Sequence, residues 1–171
     1  MANADQPKGM WPVRHLLGGE IRTSKYTLTT GATVYIGDLL KAVADGTVEV
    51  AAADDGVIVV GVSAEYIVTG AAGAKVKVWD DPYIVFGIQA DTGTAVNAAD
   101  IFRSSDHVAG SGSSVTGLSG HELDSSEAAA GTGVQLAIIG KLKRPDNAWG
   151  EHVDLEVIFN EHLYRKVQAV V

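Results

Sequence analysis

The sequence of 171 residues predicts a mainly β protein, a single barrel or sandwich. Short runs rich in β-branched and apolar residues recur about every 8–12 residues, the spacing of all-β domains. Gly, Asp and Pro punctuate these runs, and Asp45-Gly46 and Asp55-Gly56 stand where tight hairpins turn. Alternation marks half-solvated strands: Val76 and Val78 against Lys75 and Lys77, and Val153, Leu155, Val157 and Phe159 against Asp154, Glu156 and Asn160.

The elements follow in order. Residues 1–20 read as an extended arm, because Pro7 and Pro12 deny helix and Gly9, Gly18 and Gly19 loosen the chain. Met10, Trp11, Val13, Leu16 and Leu17 make the arm too apolar to be free, so it should lie along its own surface or a neighbour's. The β-domain, 21–171, opens with a strand over Tyr26–Thr30 and a short one around Val34–Ile36. A hairpin at Asp45-Gly46 comes next, and then an apolar strand, Val57–Val62, expected to be buried on both faces. Strands follow at 75–78 and Tyr83–Ile88. Residues 92–133, rich in Gly and Ser, read as a long loop insertion with one helical turn near Glu127–Ala130. Order returns with strands over Val134–Leu142 and from Val153.

A composition 46% apolar and 20% charged is that of a folded domain rather than a disordered chain. With no cysteine, disulfides and thiolate metal sites are excluded. Asp5 and Lys8 fall where a signal peptide needs an apolar run, and no apolar run approaches the ~18 residues that span a bilayer, so neither secretion by that route nor a membrane is expected. The net charge of −8 is uneven: +2 over residues 1–26, −10 over 27–140, and zero over 141–171. An acidic body repels phosphates, so nucleic acid is not an expected partner.

Paired acids at Asp80-Asp81 raise the question of catalysis or metal binding. Adjacent strand residues point to opposite faces, however, and Asp-Asp-Pro between apolar runs is what a turn prefers. The histidines at 15, 107, 121, 152 and 162 show no metal-ligand spacing and read as surface residues. Gly112-Ser113-Ser114 and Leu118-Ser119-Gly120 match neither a nucleophile elbow nor a phosphate loop. No catalytic, cofactor or metal residues are assigned.

The termini carry the contact-type residues. Trp11, Trp149 and Tyr164 stand near Arg14, Arg144 and Arg165, a combination that interfaces enrich, although the tryptophans could equally plug the ends of a barrel. With Met10, His15 and Leu16 they form the candidate interface set.

Three stretches, "MANADQPKGMWPVRHLLGG", "VWDDPYIVFGIQAD" and "GKLKRPDNAWGEHVDLEVIFNEH", resemble small capsid decoration, or cement, proteins of tailed bacteriophages; the 92–133 segment matches least. The resemblance implies a β-rich, non-enzymatic protein, commonly trimeric. It would sit on the outer capsid surface, bind the major capsid protein, and be assembled in the host cytoplasm. Two alternatives are a head-fibre or tail-associated virion protein with a carbohydrate-binding role, and a small trimeric β-fold hydrolase using Asp80 and Asp81. On the decoration reading, deleting residues 1–19 should leave the β-domain folded and lower capsid occupancy.

Overall fold

The computed structural model describes residues 3–53, 58–130 and 135–165, so the expected Asp55-Gly56 hairpin, Val57 and Val134 lie outside the described residues. The chain is mainly β, with twelve strands among the described residues: β1 (Trp11–His15), β2 (Ser24–Thr27), β3 (Leu39–Ala42), β4 (Val48–Val50), β5 (Val59–Ser63), β6 (Lys75–Trp79), β7 (Ile84–Gln89), β8 (Ser104–Ser105), β9 (His107–Val108), β10 (Glu122–Leu123), β11 (Leu136–Lys141) and β12 (Asp154–Phe159). A 3-10 turn, Ala98–Asp100, and one short helix, α1 (Ser125–Ala130), complete the described elements.

The strands make two five-stranded antiparallel sheets, β1-β7-β12-β11-β8 and β2-β6-β5-β3-β4, and a two-stranded ribbon, β10-β9. Ile84, Phe86, Ile88, Leu155, Val157 and Phe159 of the first sheet share one apolar cluster with Leu39, Val59 and Val62 of the second. The second sheet buries its other face too, under Leu28, Leu40, Val48, Val60, Val76 and Val78. It curls enough that Leu28, just past β2, meets Val48 of β4 in a single bridge, with Thr29 N–H donating to the Val48 carbonyl at 3.0 Å.

Several expectations hold. The Asp45-Gly46 hairpin joins β3 to β4: Gly46 has φ +80°, open to glycine at little cost, and Asp45 Oδ1 accepts from the Thr47 N–H at 3.0 Å. Strand β5 is buried throughout, sending Val59 and Val62 to one cluster and Val60 to the other. Lys75 and Lys77 are exposed while Val76 and Val78 are buried.

Other expectations are corrected. Residues 1–20 are not simply an arm: Met10 is in the core at 1% exposure, and Trp11–His15 pair with β7 as an edge strand. Pro12 is compatible with that place, since an edge strand need not donate on both sides and the register shifts between Pro12 and Arg14. Deleting residues 1–19 would therefore remove a sheet edge and uncover core, rather than spare the domain.

The 92–133 segment is likewise not one long loop. Besides α1, which falls where one helical turn was expected, it contains the 3-10 turn, β8, β9 and β10, and it buries Ser105, Asp106, His107, Ser119 and His121. Its small residues permit backbone-to-backbone packing: a Cβ on Gly110 would stand 2.0 Å from the Gly120 carbonyl oxygen. His107, His121 and His162 are buried, not surface residues. His107 and His121 find polar partners far along the chain, whereas His162 Nδ1 accepts from the Tyr164 N–H two residues on. His107 Nδ1 lies 2.7 Å from Gln135 Oε1 and its Nε2 3.2 Å from the Ala51 carbonyl.

Candidate interaction surface

Strand β1 carries Trp11 and His15 to two different clusters. At its start, the Trp11 indole lies flat over Gly87 of β7, its register partner. A Cβ there would fall 2.3 Å from the indole Cε2, so glycine is what lets the ring settle on the sheet. Lys8 Nζ stands 4.0 Å from the ring centroid, a cation–π contact. One step along, Arg14 Nη2 donates to Glu156 Oε2 at 2.8 Å across the same face. Gly87→Ala is expected to lift the indole off the sheet. Tryptophan emission should shift to the red and the protein lose roughly 1–3 kcal/mol of stability, as overpacking does; unchanged emission and melting would contradict this placement of Trp11.

Arg144 and Trp149 lie nearby, but Arg144 is already occupied. Its Nη1 is 2.6 Å from Oδ2 of the fully buried Asp154, and its Nε is 3.3 Å from Asp146. The first contact is one of charge, lying out of line with an N–H bond. Lys141 Nζ sits 5.5 Å from the Trp149 ring, which is 37% exposed. Lys8, Lys141 and Arg144 thus border one cleft of about 820 Å³, together with Gln89, Asn147 and Asp154. Met10, buried in the core, offers no surface.

At the end of β1 the second cluster surrounds the Asp80-Asp81 turn. The two carboxylates serve different partners. Tyr26 Oη donates to Asp80 Oδ2 at 2.6 Å and lies 2.6 Å from the Tyr164 hydroxyl. Burial first, and then the bond to Asp80, push the Tyr26 pKa up and keep its hydroxyl a donor. Asp81 Oδ1 accepts from the Tyr83 N–H at 2.9 Å, the expected turn cap, while its Oδ2 is 3.1 Å from His15 Nε2. Burial opposes the charge on Asp81, but the Tyr83 N–H, His15 and Arg22 outweigh it and hold the carboxyl below its ordinary range.

His15 beside a carboxylate has the outline of a general base and its orienting partner. Its Nδ1, however, accepts from the backbone N–H groups of Leu17 and Gly19, each at 3.1 Å. Both ring nitrogens are engaged, leaving none to take a proton from a nucleophile. The geometry organises a turn. It fixes the path of the chain from Leu16 to Gly19.

What this turn displays is apolar. Leu16 is 41% exposed, Leu17 74%, Tyr83 41%, Leu163 40% and Tyr164 59%. Leu16 N–H donates to the Tyr83 carbonyl at 2.9 Å, and the Arg165 guanidinium lies 6.0 Å from the Tyr83 ring, so the end of β1 and the last described residues meet here. Between them runs a groove of about 540 Å³ bordered by Arg22, Asp80, Asp81, Tyr83 and Tyr164. Of the sequence candidates, Trp11, Arg14, Arg144 and Trp149 fall at the first cluster, and His15, Leu16, Tyr164 and Arg165 at the second. The candidate set lacked Tyr83 and Leu163, and it left out Leu17 although that residue was read among the apolar residues of the arm. The Leu-Leu pair ahead of Gly18-Gly19 was the available signal.

A third group is Asp5, Glu122 and His152, whose ligand-type atoms all lie within 4.8 Å of one another. Burial first, then the negative charges of Asp5 and Asp91, push the Glu122 pKa up to about 7.

No family model, curated protein or solved structure matches this chain.

Proposed function

We propose that this chain is a structural binding protein rather than an enzyme: a β-sandwich that docks as a trimer on the outer surface of a tailed-phage capsid and cements neighbouring major capsid protein subunits. The observation that carries the reading is the apolar rim of Leu16, Leu17, Tyr83, Leu163 and Tyr164, held in shape by the His15–Asp81 and Tyr26–Asp80 contacts. Such a rim is costly to leave in water and suits burial against another protein. The sequence resemblance to decoration proteins supplies the kind of partner. The polar contacts hold the rim rather than reach out from it, as expected of a surface that grips.

Burying one Leu fully contributes about 1.5–3 kcal/mol, and tenfold in affinity corresponds to about 1.4 kcal/mol. Leu17→Asp, at a side chain that packs little within its own chain, should therefore leave melting unchanged and weaken binding to undecorated capsids at least tenfold. Binding equal to wild type in a sedimentation assay would overturn the reading.

A further inference from the structure

We propose that Asp5, Glu122 and His152 bind a divalent transition-metal ion of the zinc class, which fastens the segment before β1 to the body of the domain. The three come from separate places: Asp5 from that segment, Glu122 from β10, and His152 from the turn into β12. Their donor atoms nevertheless converge within 4.8 Å.

The convergence has an independent counterpart in the polar atoms themselves. Glu122 Oε1 and His152 Nδ1 are fully buried and have no hydrogen-bond partner among the described residues. Buried polar atoms are rarely left so, because each unsatisfied one is destabilising. The other imidazole nitrogen, Nε2, lies 3.4 Å from Thr92 Oγ1. A proton on Nε2 directed at that hydroxyl leaves the Nδ1 lone pair facing the carboxylates, as a metal-binding imidazole requires. His152 also has φ +54°, a left-handed backbone uncommon outside glycine. The fold thus holds the ring in place at some cost.

Spacing and donor type narrow the ion. His152 Nδ1 is 4.0 Å from Asp5 Oδ1, and two tetrahedral ligands of zinc, each about 2.0–2.1 Å from it, stand roughly 3.3 Å apart. The Asp5 side chain is 61% exposed and has room to close that difference. One imidazole with two carboxylates suits zinc, whereas calcium and magnesium prefer shells made of oxygen. Asn3, whose Nδ2 donates to the Ala148 and Glu151 carbonyls, already lays the same segment against this end of the domain.

The proposal is independent of the capsid reading and is tested on the full chain alone. Protein stripped with chelator is titrated with zinc chloride by calorimetry, and its melting is followed with and without the ion. One equivalent should bind with micromolar affinity or better and raise the melting temperature by several degrees. Glu122→Gln and His152→Asn, the latter tolerant of the left-handed backbone, should each weaken binding at least tenfold. Should either fail to fold, Asp5→Asn, at an exposed position, serves the same purpose. Absence of binding at 100-fold excess zinc overturns the site. So does equal zinc binding by wild type and the variants, which would mark a merely adventitious ion, or a calcium response matching that of zinc.

Discussion

Arg144→Met is expected to lower stability by about 3–5 kcal/mol, the usual consequence of leaving a buried charge without its partner. Methionine keeps most of the aliphatic stem, so the loss isolates the guanidinium. Asp154 is 1% exposed, and Arg144 Nη1 lies 2.6 Å from its carboxylate. The remaining contact to that side chain is long, from Gln89 Nε2 at 3.4 Å. Neighbouring Asn147 cannot take over, because its Oδ1 accepts from the Asp154 N–H and its Nδ2 donates to the Leu142 and Asp154 carbonyls. For a chain of this size the melting midpoint should fall by roughly 6–20 °C. Adding Asp154→Asn to that variant removes the stranded charge and should restore part of the loss. A single variant that melts like wild type would show that Arg144 faces outward, as a contact for a partner, and that Asp154 needs no counter-charge.

The second large effect is acid sensitivity through His121. Burial first, and then the nearby His107, drive its pKa down to about 3. The two rings stack with centroids 4.8 Å apart, and His121 Nδ1 accepts from the Leu39 N–H at 3.3 Å, a bond only the unprotonated nitrogen can make. Asp38 approaches His121 Nε2 at 3.6 Å, which would favour a charged ring. Desolvation prevails, because Asp38 is itself buried and its own pKa is raised first by the same burial. A histidine depressed in the folded state stabilises the fold above its unfolded pKa of about 6.5 and loses that contribution as pH falls toward 3. The slope is about 1.4 kcal/mol per pH unit and the whole on the order of 4 kcal/mol, less whatever the raised Asp38 returns in the acid range. Urea melts at pH 7, 5.5 and 4 in metal-free buffer should show a progressive fall. In His121→Asn, whose amide oxygen can still accept from Leu39, the profile should be flatter. A wild-type profile as flat as the variant's would mean that His121 is not held neutral.

What was legible in the sequence was whatever repeats at short range. The Asp45-Gly46 hairpin, the Lys75–Val78 alternation and the buried β5 all follow from neighbours two residues apart or a turn dipeptide. Strand β1 was illegible because its register shifts between Pro12 and Arg14, which breaks the period over only five residues. Strands β8, β9 and β10 are two residues each, too short for any period. The glycines among them, read as the mark of a long loop, allow backbones to touch, as at Gly110 and Gly120.

The sites divide in the same way. Asp81 as a turn cap was readable because its partner is Tyr83, two residues on. The partners that define everything else are distant: Asp81 with His15, Asp80 with Tyr26, Arg144 with Asp154, and Asp5 with Glu122 and His152. Exposure is equally nonlocal. Leu17 and Leu39 are alike in sequence, yet one is 74% exposed and the other is buried completely. Only the packing of the sheets separates them.

The most direct test of the binding account is a cryo-electron microscopy reconstruction of capsids carrying this protein. The account predicts trimers with Leu16, Leu17, Tyr83, Leu163 and Tyr164 buried against capsid subunits or sister copies. A particle to which the protein does not bind, or on which that rim faces open solvent, would contradict it.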